Sequence, residues 1–95
     1  MAGFATNLEA MQSVVDRMAS FERTLDERLE EVDRRAMRLH ATWTGAAADE
    51  YAQVHRAWLR RAREMHAALG GMRRIVATAH GNYASAIAAN RAMWP

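Results

Sequence analysis

The stretch His40-Ala41-Thr42-Trp43-Thr44-Gly45 decides how this chain folds, because one helical pattern ends at its start and another begins at its end. Upstream, Leu8, Met11, Val15, Met18, Leu25, Leu29, Val32, Ala36 and Leu39 recur at alternating steps of three and four. Such a period places apolar side chains in a narrow stripe along one long helix. Glu22 breaks the register, and Phe21 beside it is expected to cover the gap. Thr6 or Asn7 is placed to cap this helix, with Glu9 in its first turn. Downstream, Thr44 or Gly45 can cap a second helix whose first turn holds Asp49 and Glu50, where the helix dipole favours acids. Its stripe reads Tyr51, His55, Trp58, Ala62, Met65, Leu69, Met72, Val76, Ala79, Tyr83, Ala86, Asn90 and Met93.

The expected architecture is all-α: helix one over about 6–41, a turn at 42–46 and helix two over about 47–91, all in one domain spanning 1–95. So short a connection forces the helices antiparallel. A hairpin of two helices encloses no interior, and a small single core is marginal even when compact. A second hairpin that completes a four-helix bundle is therefore expected. The larger stripe residues, from Leu8 to Leu39 and from Tyr51 to Tyr83, are the candidate hairpin and dimer interface. Gly70-Gly71 lies within the second pattern, where each glycine costs about 1 kcal/mol of helix propensity. A kink or a close helix approach would each account for it.

Composition narrows the classes. The chain has 95 residues, with 21 Ala, 13 Arg, no Lys, no Cys, five Gly and one Pro. The missing cysteines exclude a disulfide scaffold and a Cys-based zinc site. The scarcity of Gly and Pro argues against a turn-rich β fold. Apolar residues make up 51% of the chain, too many for a disordered one, yet no run of 18 of them exists to cross a bilayer. The start, MAGFATNLEAM, has neither the basic nor the apolar region of a signal peptide. Abundant Ala and Arg without Lys suggest a GC-rich, actinobacterial genome. The net charge of +2 conceals a polarity. Residues 1–41 carry eight acids against six Arg, whereas 46–95 carry three acids against seven Arg.

Sites for chemistry are sparse. His40, His55, His66 and His80 do not form a helical metal-ligand pair, and His55 reads as a packed, hydrogen-bonded or pH-sensitive seam residue. No glycine-rich phosphate loop and no nucleophile elbow is present, so neither catalysis nor a cofactor is implied. Arg56, Arg60, Arg61, Arg63, Arg73 and Arg74 form a basic patch on helix two. No nucleic-acid reading motif accompanies it, and an acidic partner surface fits it better. Residues 75–90, IVATAHGNYASAIAAN, contain no Asp, Glu, Lys or Arg. Their length falls short of a bilayer core, and their small residues suit tight helix packing. Ile75 and Ile87 within this stretch, with Met93 and Trp94 after it, are the candidate membrane or oligomer contacts.

Trp43-Thr44-Gly45, set between two long helices near the middle of the chain, resembles the turn motif of the WXG family of small type VII secretion substrates. The segments 39–45, His80-Gly81-Asn82-Tyr83 and Asn90-Arg91-Ala92-Met93-Trp94 look like those of a member whose pair is associated with export of a channel-linked NAD-degrading toxin. The resemblance implies a non-enzymatic hairpin, paired as a heterodimer or homodimer. It implies export by the type VII (ESX) machinery without a cleaved signal peptide, to the medium or the cell surface, with outer-membrane association as a further option. Family pairs usually carry a terminal Y-x-x-x-D/E export signal. Here Ile87 stands four residues after Tyr83, so the related WXG-type partner is expected to supply it. The G-x-W tied to membrane activity in that member is Ala92-Met93-Trp94 in this chain. Two other readings follow: a membrane-perforating assembly of such dimers, and a cytoplasmic coiled-coil adaptor.

Overall fold

The computed structural model describes residues 2–93, and among these there is no strand. Two helices account for nearly all of them: α1, Ala2–His40, and α2, Ala46–Met93. Helix α1 begins at Ala2, ahead of the expected caps Thr6 and Asn7, and its first turn holds no acid. Gly70-Gly71 is helical within α2, and Gly70 is buried.

The turn is built from short backbone bonds. Thr42 N–H donates to the Leu39 carbonyl at 3.2 Å and Trp43 N–H to that of His40 at 3.0 Å, tightening the last turn of α1. Thr42 Oγ1 adds a bond of 2.8 Å to the Leu39 carbonyl. Gly45 then starts α2: its carbonyl accepts from Ala48 and Asp49 N–H, and its φ is +82°. A Cβ at Gly45 would meet nothing within 4 Å, so conformation rather than crowding requires glycine there.

Contacts divide the chain into two units. The turn unit is Glu22–Ala68; the terminal unit joins the residues up to Phe21 with those from Leu69 onward. Within the turn unit α1 and α2 run antiparallel around Leu29, Ala36 and Ala48, all buried. In the terminal unit Ile87 is buried, and the rings of Phe4 and Tyr83 lie 5.9 Å apart.

The inward register departs from the expected stripes. Leu8, Met11, Val15, Met18, Leu25 and Leu29 hold it as expected, but Glu22 occupies its own seam position, only 9% exposed, while Phe21 points out at 57%. Phe21 therefore does not cover the gap. After Leu29 the seam steps four residues to Asp33, then Ala36 and His40, which turns Val32 and Leu39 outward. On α2 the inward positions run Ala48, Ala52, His55, Leu59, Ala62, His66 and Leu69, then Arg73, Val76, His80, Tyr83 and Ile87. Trp58, Met65, Met72, Ala79 and Ala86, expected on the seam, stand one position to its side and are exposed, and Asn90 and Met93, also expected there, are exposed too. Two adjacent faces of α2 both satisfy the three-and-four spacing, so the pattern alone merged them.

Candidate partner interface

The outward apolar residues share a geometric rule. In the turn unit Val32 and Leu39 each precede an inward residue of α1, and Val54, Trp58 and Met65 each precede an inward residue of α2. A helix advances about 100° per residue, so each of these side chains lies roughly a quarter turn from the hairpin seam. Because the helices run antiparallel, that quarter turn leads to the same side of the two-helix layer from both. One side of the turn unit is therefore apolar, with Trp58 43% and Met65 52% exposed. Residues that follow an inward position fall on the opposite side. Asp26 and Arg63 do so, and their ion pair at 3.5 Å joins the helices there. In the terminal unit the same rule gathers Val14 and Phe21 of α1 with Met72 and Ile75 of α2, all exposed.

The polar contacts between helices in the turn unit fix this orientation. His55 Nε2 donates to Asp33 Oδ1 at 2.8 Å, His66 Nε2 to the Glu22 carbonyl at 2.9 Å, and His40 Nε2 to the Ala48 carbonyl at 2.7 Å. Sequence reasoning singled out only His55. The others became legible only once the true seam placed them inward. A row of rings runs beside them: Tyr51 stacks between His40 and His55, and His55 on Trp58. Trp43 meets Tyr51 edge-on with centroids 4.7 Å apart, so the turn tryptophan folds back onto the start of α2.

The basic patch on α2 holds only in part. Arg56, Arg60, Arg63 and Arg74 lie on the side opposite the apolar face, Arg61 lies on the apolar side, and Arg73 occupies an inward position. Among the membrane or oligomer candidates, Ile75 and Met93 are exposed, Ile87 is buried, and Trp94 lies outside the described residues. No helix among the described residues is long and apolar enough to cross a membrane, and no three His, Asp or Glu side chains among them converge as metal ligands.

An antiparallel helical hairpin closed by Trp-x-Gly defines a class of small helical proteins. The chain is a member of the WXG100 family, proteins of 100 residues with WXG, which residues 3–86 match. It is similar to ESAT-6-like protein EsxE from two strains of Mycobacterium tuberculosis, CDC 1551 / Oshkosh and H37Rv. Each is 37% identical to it over 84 residues, which cover 88% of this chain and 93% of the relative. No solved structure matches it. ESAT-6-like members of the family are type VII secretion substrates that work as heterodimers with WXG partners, and they are not known as enzymes.

Proposed function

We propose that this chain is one half of an obligate, secreted, non-enzymatic dimer of the type VII pathway. Its other half is a related, EsxF-like WXG hairpin that carries the export signal, and together they support export of a toxin. The observation that carries the reading is the open apolar side of the turn unit, where a tryptophan and a methionine are about half exposed. Such a patch on a small helical protein marks an interaction surface. The absence of an acid four residues after Tyr83 supports placing the signal on the partner. The test is mass in solution for the purified chain alone and with the hairpin encoded beside it. A complex of one copy of each is expected. A stable, well-folded monomer indifferent to that hairpin would overturn the proposal.

A second reading, a membrane-perforating assembly of such dimers, draws on the charge-free stretch 75–90, where Ile75 is 70% exposed. Dye leakage from liposomes, with and without the partner, separates the two. Leakage supports perforation, and intact vesicles across a wide pH range exclude it.

A further inference from the structure

The apolar side of the turn unit carries charge of one dominant sign. Arg61 precedes the inward Ala62 and so shares that side with Trp58 and Met65. Arg28 and Arg35 precede the inward Leu29 and Ala36 and border the same side from α1. Glu31 is already engaged by both of these arginines, at 3.2 Å from Arg28 and 2.8 Å from Arg35. Arg61 has no ion-pair partner among the described residues.

Whatever covers Trp58 and Met65 also desolvates Arg61 or crowds it. A second copy of this chain offers the same face, which has cations to spare and one carboxylate already held. Self-pairing would oppose like charges and leave Arg61 without a counterion, whatever the register of the two copies. We infer that this face selects a hairpin whose own apolar stripe is bordered by carboxylates, at least one of them facing Arg61, and that it disfavours a second copy of itself. The inference rests on the docking reading above and adds the chemistry of the partner.

The probe is the chain itself carrying Arg61→Glu, labelled with a fluorophore. Wild-type chain is titrated into labelled R61E and, separately, into labelled wild type, at low and at high salt. Circular dichroism first confirms that R61E keeps its helicity. The mixed pair is expected to be about tenfold tighter than the self-pair, with the gap closing as salt screens the charges. Self-pairing as tight as the mixed pairing overturns the charge selection while leaving the docking face standing. No association in either titration, with R61E still helical, overturns the selection at Arg61, and the docking face is then judged by the mass measurement with the neighbouring hairpin.

Discussion

His55 reaches from α2 to Asp33 on α1 at 2.8 Å, with the histidine side chain only 14% exposed. This bond explains why the α1 seam shifts after Leu29. Holding Asp33 inward turns Val32, the apolar residue expected there, out onto the open face. Removing one partner strands the other in a half-buried site, whereas replacing both with apolar groups removes the mismatch. Asp33→Ala is expected to lower stability by about 1–2 kcal/mol in urea unfolding followed by circular dichroism. The double variant Asp33→Leu/His55→Leu should recover most of that loss. A double variant as unstable as the sum of its singles would show that the bond does not govern the register.

That shift also marks where the sequence stopped being legible. The two helices, the antiparallel turn and the glycine at its end could be read from spacing and turn chemistry, since each depends on neighbours along the chain. The inward face could be read only in part: Leu8 to Leu29 and Ala36 on α1 and His55, Ala62, Leu69, Val76 and Tyr83 on α2 hold it as the spacing has it, while others do not. On α2 the larger apolar residues, Trp58, Met65 and Met72, lie outside, while Leu59, His66 and Arg73 take the hairpin seam. Periodicity alone places the bulkiest residues on a single face. This chain has two apolar faces, the hairpin seam and the open side, and both run at the same spacing. Polar seam residues such as Asp33, His40 and His66 are credible only with their partners in view, and those lie 22, 8 and 44 residues away.

Glycine substitutions should have opposite signs at two positions. Gly45 has φ +82°, which a Cβ disfavours by about 1–2 kcal/mol, so Gly45→Ala is expected to lower the melting temperature. Gly81 lies inside α2 with open space where its Cβ would be. Gly81→Ala should therefore raise stability by about 0.5–1 kcal/mol. Equal effects of the two variants in thermal melts would contradict the backbone assignment of the turn.

Trp43 serves the turn through its edge contact with Tyr51 at 4.7 Å. A contact of this kind contributes about 0.5–1.5 kcal/mol beyond the area it buries. Trp43→Ala is expected to cost at least that much, and Trp43→Phe to retain part of it. Hydrogen exchange at the amides of 46–52 should quicken in the alanine variant. Protection there unchanged from wild type would mean that Trp43 acts on something other than the start of α2.

Two substitutions, one in the seam and one on the open side, separate folding from pairing. Leu29 is 5% exposed between the helices, so Leu29→Ala removes packed methyl groups and should cost about 2–4 kcal/mol of stability. Trp58 stands on the open side, so Trp58→Ser should change the unfolding midpoint of the chain by little. A central, partly exposed tryptophan on a docking face is the kind of residue whose loss weakens binding most, by about 2 kcal/mol or more, or some thirtyfold in affinity. The paired measurements are urea unfolding of the chain alone and affinity for the partner hairpin. If Trp58→Ser instead unfolded the chain and spared the affinity, the open side would belong to the hairpin's own stability and the pairing surface would have to lie elsewhere.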